Sequence, residues 1–311
     1  MKLFLILTVF FHAQLSWAQS ALNVLTFNVY AKPDPINSRY TNERMERICE
    51  TFKRGNWDVV LLQEVWTKGY RQQFRQCGFP HVMDLNRTGE LGAEGHLGSG
   101  LMILSKYPLS EQKRLILSKP SFNFTSVSHG ESLVDKSVYL AQTVLPSGEK
   151  IWLANTHLTA NYCSDSIFTD CDSYDLERYQ QASEAARFVK SQVGENAIVF
   201  GGDFNSGPHP FRNDSLWKKW GELFPNLVQA QYDTQSICTS CGTNFFKSTE
   251  SGKIDHLFAS KNLFFESGKV VLGEKFKSPR SGLELNLSDH YGWESRVVLG
   301  MPSVTSKAAS K

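Results

Sequence analysis

The sequence predicts an α/β fold whose strands carry their chemistry at one end. Three observations point there. Several apolar, β-branched runs stop abruptly on an acid, an amide or a histidine. Two longer segments repeat their apolar residues with helical spacing. The 311 residues are 41% hydrophobic and 21% charged, ordinary for a globular protein.

In chain order, residues 22–30 read as a strand carrying Asn28 near its end. Residues 41–53 place Met45, Ile48, Cys49 and Phe52 at i, i+3, i+4, i+7, a helix with one apolar face. Residues 59–64 form a buried type of run ending on Glu64, and residues 151–157 form another ending on His157. Residues 175–193 predict a second helix whose face is Leu176, Tyr179, Ala182, Ala186 and Val189, with capping side chains supplied by residues 172–175. Residues 198–205 run from Ile198 to Asp203 and Asn205. Two residues apart on a strand, Asp203 and Asn205 are expected to point to one side. Residues 254–258 and 287–291 add Asp255, Asp289 and His290. Such runs suit central strands covered on both faces, where charges belong at the ends or in pairs. One rim is therefore expected to collect Asn28, Glu64, His157, Asp203, Asn205, Asp255, Asp289 and His290.

That inventory fits metal-assisted cleavage of a phosphoester. Glu64 is a hard oxygen ligand, and Mg²⁺ prefers one or two carboxylates plus water and phosphate. Oxygen-rich sites discriminate weakly between hard cations, so Mn²⁺ and Co²⁺ stay open. Histidine moves protons at neutral pH, and Asp255 beside His290 would fix its tautomer.

Lys2 followed by an apolar stretch over residues 3–11 and by Ser16-Trp17-Ala18 predicts a signal peptide cleaved after Ala18, hence a secreted protein. Residues 19–300 form the expected catalytic domain, and the Ser-, Ala- and Lys-rich residues 301–311 a disordered tail. The net charge of +2 leaves no overall electrostatic footprint for a DNA binder. Six cysteines in an exported chain suggest disulfides. Cys163–Cys171 is the first expected local pair and Cys238–Cys241 a tight second one, while Cys49 is read as a buried core thiol. Asn86, Asn123, Asn213 and Asn286 head glycosylation sequences.

Phe27-Asn28, Gln63-Glu64-Val65-Trp66, Gly98-Ser99-Gly100-Leu101, Thr156-His157-Leu158, Gly202-Asp203-x-Asn205, Ile254-Asp255 and Ser288-Asp289-His290 occur in this order over residues 22–299. Together they resemble the exonuclease–endonuclease–phosphatase superfamily. The resemblance implies a deoxyribonuclease-I-like four-layer α/β sandwich: two mixed, mostly antiparallel sheets packed face to face, flanked by helices, with the site at the strand ends. Val65-Trp66 after Glu64, the segment 98–108, and an acid and a lysine five apart (Glu131 and Lys136) look like the neutral sphingomyelinases. The family's acid at that place is usually Asp, and Asp135 is a second candidate partner for Lys136.

The resemblance implies an Mg²⁺-dependent phosphodiesterase that takes sphingomyelin at a membrane surface and releases ceramide and phosphocholine. It implies that Glu64 holds the metal with Asn28 near it, while Asp289 supports the metal–water network or braces its loop. His290, oriented by Asp255, takes the proton of the attacking water, and Asp203 and Asn205 orient water and phosphate. His157 donates to the phosphoryl oxygen or leaving group, and Lys136 stabilises phosphate charge. Bacterial members insert an aromatic hairpin before the final Asp-His, whereas residues 277–287 here hold no aromatic residue. Phe122 and Phe124, or Leu263, Phe264 and Phe265, are then the candidates for bilayer contact. The alternatives are a secreted deoxyribonuclease, which would engage nucleic acid, a broader phospholipase C, or an inactive binding module on the same scaffold.

Overall fold

In this computed structural model the described residues are 20–32, 40–86, 98–119, 130–160, 171–208, 215–231, 238–247 and 251–300. Two six-stranded sheets pack face to face. The first runs β11 (Leu263–Val271), β14 (Gly292–Leu299), β1 (Ala21–Ala31), β2 (Val59–Val65), β4 (Met102–Ser105), β3 (His81–Met83). The second runs β5 (Leu109–Ile116), β6 (Ser137–Val144), β7 (Lys150–His157), β8 (Ile198–Asp203), β10 (Asp255–Ser260), β9 (Leu227–Gln229). Each sheet holds one parallel pair, β1·β2 and β7·β8, among antiparallel neighbours. A small hairpin, β12 (Lys275–Lys277) and β13 (Glu284–Asn286), stands apart.

Period-two alternation sorts the strand residues into layers. Leu22, Val24, Val59, Leu61, Leu153, Val199 and Leu257 fill the space between the sheets. Their neighbours Leu25, Phe27, Val60 and Leu62 face outward onto Met45, Ile48 and Phe52 of α1 (Thr41–Arg54) and Phe74 of α2 (Lys68–Phe74). On the opposite side Phe200 and Phe258 pack on Ala182, Ala185 and Val189 of α3 (Cys171–Val193) and on Trp220 of α4 (Trp220–Leu223). This is the expected four-layer sandwich.

Beneath the rim a buried amide pair ties the sheets together. Gln63 Nε2 donates to Asn155 Oδ1 at 2.8 Å, and Asn155 Nδ2 donates to the Leu62 and Met102 carbonyls. Both residues are sealed from solvent, so each would cost stability if its partner were removed.

Several expectations need correction. The face of α3 is rotated from the one read in the sequence: Leu176 and Tyr179 are exposed, while Arg178 and Gln181 are buried. Hydrogen bonds turn it, because Gln181 accepts from Thr159 N and donates to Ser118 O and Thr159 Oγ1. Residues 172–175 lie inside the first turns rather than before the helix. Cys49 is not a free thiol: it pairs with Cys77 across a Cα separation of 4.9 Å. The Cys238–Cys241 pair is present as expected. The Cys163–Cys171 expectation, the signal peptide, the tail, Phe122, Phe124, Asn123 and Asn213 lie outside what is described. Leu263 is buried in the inter-sheet core with Phe265 packed against it, leaving only Phe264 of that trio exposed. Asn286 is fully buried and accepts from Phe245 N, so its sequon serves the fold. No described helix is long and apolar enough to cross a membrane.

Candidate active site

The inward face that carries Leu22 and Val24 on β1 continues to Asn28, and that of Leu153 on β7 continues to His157. On β8 the same parity leads from Val199 to Asp203, and on β10 from Leu257 back to Asp255. Because β10 runs antiparallel to β8, its first residue meets the last residue of β8, and Asp255 pairs in register with Asp203. His157 is the register partner of Asp203 on the other side. Alternation and register alone thus bring polar groups from both sheets to one rim.

Glu64 breaks the pattern. Its parity, that of Val60 and Leu62, points to the helices. Its backbone is left-handed, φ 61°, a conformation that costs about 1–3 kcal/mol in a non-glycine residue and is common at functional sites. The departure from the pleat turns its carboxylate to the site, where it accepts from Asn28 Nδ2 at 3.1 Å and from Trp66 Nε1 at 3.4 Å. Trp66 in turn packs over Gly100, where any Cβ would lie 2.8 Å from the indole. A side chain on Gly202 would strike the Thr156 carbonyl, so glycine there lets β7 and β8 close up beside His157 and Asp203.

Asp203 is the hub. Its Oδ2 accepts from Asn28 Nδ2 at 3.0 Å and lies 3.6 Å from His157 Nε2 and 3.7 Å from His290 Nε2. Asn28 therefore bridges the carboxylates of Glu64 and Asp203, its Oδ1 being held by Tyr30 N. His290 Nδ1 lies 2.8 Å from Asp255 Oδ2, which fixes the ring and leaves Nε2 facing Asp203. Asn205 reaches the cluster differently from the expectation. β8 ends at Asp203, and Asn205 follows in a left-handed turn, φ 50°. Its backbone N–H caps Asp203 Oδ1 at 2.9 Å while its amide donates to Leu158 O.

The two rings sit in opposed fields. Burial, then the charges of Lys136, His290 and Lys32, push His157 well below its ordinary value, so it is neutral. Burial also disfavours charge on His290, but Asp255, Asp203 and Asp289 outweigh it and raise the ring to about 10. Burial and the Asp255 charge raise Asp203 to about 7. Asp289 goes down despite its burial, because Lys247 Nζ stands 3.3 Å away with His290 and Lys32 nearby.

Lys136 comes to the site's edge without touching the hub. Its ammonium is 2.9 Å from Glu131 Oε2, so Glu131 rather than Asp135 is its partner. Lys247 and Lys32 were missed in the sequence. Lys247 follows Phe245-Phe246 with no motif around it, and Lys32, stacked 4.7 Å over the Tyr30 ring, follows a strand like any surface lysine.

The donor set fits a divalent cation. Three buried acids (Asp203, Asp255 and Asp289) crowd one rim with Glu64 beside them. Burial and then the repulsion of Asp255 raise Asp203, and a positive ion would relieve the repulsion. Asp203, Asp255 and His290 place ligand-type atoms within 4.8 Å of one another. Asp255 is joined to His290, while Glu64, Asp203 and Asp289 supply the other carboxylates of the rim.

A family model for the Endonuclease/Exonuclease/phosphatase family matches residues 25–290, and the chain belongs to this family. Among its relatives, the mouse protein Sphingomyelin phosphodiesterase 2 is 28% identical over 212 residues, 68% of this chain and 48% of the relative. The fission yeast (Schizosaccharomyces pombe) protein Inositol phosphosphingolipids phospholipase C is 26% identical over 88% of this chain and 68% of its own length. The chain thus spans about half to two thirds of these relatives. A crystal structure of beta toxin from Staphylococcus aureus with bound magnesium ions superposes with a TM-score of 0.68 at 18% identity, covering 89% of this chain and 99% of that one.

Proposed function

We propose that the protein is a secreted, Mg²⁺-dependent sphingomyelin phosphodiesterase that releases ceramide and phosphocholine. The observation that carries this is the Asp203 hub, where His157, His290 and the Asn28–Glu64 pair meet from both sheets. The names of the relatives supply the substrate class.

Glu64, with Asp203 and Asp289, would hold the cation, and Asn28 keeps the first two carboxylates together. When bound, the cation polarises a phosphoryl oxygen and neutralises part of the acid field. With a bound cation offsetting part of the acid field that holds the ring at about 10, His290 would be neutral and take the proton of the attacking water at Nε2, with Asp255 steadying the ring and the imidazolium it becomes. Asp203 and Asn205 orient that water, and neutral His157 donates a hydrogen bond from Nε2 to the phosphoryl or leaving oxygen, the leaving oxygen taking its proton from solvent. Lys136, held in place by Glu131, would add positive potential at the edge.

The test is a substrate panel: sphingomyelin, an inositol phosphosphingolipid, phosphatidylcholine and plasmid DNA, each with Mg²⁺ or chelator. Cleavage of sphingomyelin that needs the metal is expected. Metal-dependent nicking of DNA with intact sphingolipids would instead make the protein a nuclease, and no turnover of any substrate would make it a binder. Appearance of a mature chain beginning at Gln19 in culture medium tests secretion and the predicted cleavage after Ala18.

A further inference from the structure

The Cys238–Cys241 disulfide closes a loop that touches the reacting pair from behind. Thr239, between the two cysteines, is fully buried. Its Oγ1 accepts from both Ile254 N and Asp255 N at 3.2 Å, and its carbonyl accepts from Tyr291 N at 2.7 Å. Those amides flank Asp255 and His290, the two partners of the 2.8 Å contact. One residue therefore holds the backbone on both sides of that contact, although the partners are 35 residues apart in sequence.

The surrounding loop reinforces this. Thr239 N and Ser240 N both donate to Gly252 O, and Gly252 N donates back to Ser240 O. Asn244 Nδ2 donates to Ser288 O at 2.8 Å. Segments on either side of the clamp are thereby held to the same short loop, and the disulfide restricts its freedom.

We propose that Thr239, presented by the Cys238–Cys241 loop, is a positioning residue that sets the Asp255–His290 alignment in catalysis. This rests on the reading of that pair as the proton-transfer unit. A displacement of well under 1 Å between Asp255 and His290 would leave substrate binding intact while misdirecting Nε2, because catalytic geometry tolerates little error.

The experiment compares wild type, Thr239→Val, Thr239→Ser and His290→Ala in the full chain, with sphingomyelin and Mg²⁺. Amide hydrogen exchange is read in parallel. Thr239→Val keeps the shape but removes the hydroxyl acceptor from two buried donors, so kcat should fall about tenfold or more at nearly constant KM. Exchange at the Ile254 and Asp255 amides should rise. Thr239→Ser should restore both. Should Thr239→Val not fold, the Cys238→Ser/Cys241→Ser double variant takes its place, with a fall in kcat again expected at unchanged KM. If His290→Ala is inactive while Thr239→Val, or the double variant in its stead, turns over like wild type, the positioning role is overturned and the site reading stands. If His290→Ala turns over normally, the reading of the pair fails and this proposal fails with it.

Discussion

The Lys136 ammonium and the Glu131 carboxylate meet at 2.9 Å with their side chains 1% and 7% exposed. A lysine so deeply buried is rare without a partner. Removing one member strands the other charge, which costs about 3–5 kcal/mol in comparable buried pairs. Glu131→Ala should lower the unfolding free energy measured by urea titration by an amount of that order. Replacing both residues, Glu131→Leu with Lys136→Met, should recover much of the loss. Equal stability of Glu131→Ala and wild type would show that the pair is solvated in solution.

Asp255 acts on His290 through orientation and charge. Asp255→Asn keeps the size but exchanges a charged acceptor for a neutral amide, and favours the wrong tautomer. Turnover should fall by about 10²–10⁴-fold, with KM little changed. Steady-state kinetics on sphingomyelin decide it. A loss confined to KM would move Asp255 from proton transfer to substrate binding.

Asn28 joins the carboxylates of Glu64 and Asp203. Glu64→Gln should raise the Mg²⁺ concentration for half-maximal activity at least about tenfold, and Asn28→Ala should raise it as well by letting those acids spread. Metal titration of activity reads both. A titration curve for Glu64→Gln that overlays wild type would remove Glu64 from the metal site.

In chelator, stability should fall as pH rises above neutrality. His290 holds its proton more tightly folded, at about 10, than its ordinary 6.5. Its stabilisation is complete below the ordinary value and lost as pH climbs through the folded one. Asp203, raised from 3.8 to about 7, adds a loss below neutrality, but His157, held well below 6.5, gains stability as pH rises over the same range and offsets it. Melting midpoints with chelator should decline between about 6.5 and about 10, and His290→Gln should flatten that decline. A midpoint that rises with pH there would contradict the charge arrangement described.

The rim was legible because strand parity is simple physics. Once Val199 and Leu257 are assigned inward, Asp203 and Asp255 follow at period two, and the run-then-acid form marks where each strand stops. Glu64 was legible only as the end of a run. Its left-handed turn toward the site depends on Trp66, Gly100 and Asn28, long-range partners that no local pattern encodes. Asn205 misled for a related reason, since alternation ends with the strand and a turn then resets direction. The face of α3 was misread because hydrogen bonds of Gln181 to Thr159 and Ser118 outweighed the burial of Leu176 and Tyr179. Cys77 as the partner of Cys49 could not be chosen, because pairing depends on Cα proximity set by the fold. Lys247 and Thr239 gave no local signal, each deriving its position from contacts across the chain.

The Asn28 amide joins a carboxylate on β2 to one on β8, strands that belong to different sheets. Neither sheet alone carries a working centre, however well it pairs its own strands. On the proposed function, turnover is thus a late reporter of assembly: a refolding chain should regain its circular-dichroism spectrum before it regains activity. Any cut that lets the two sheets drift apart should silence the enzyme while leaving much of its secondary structure in place.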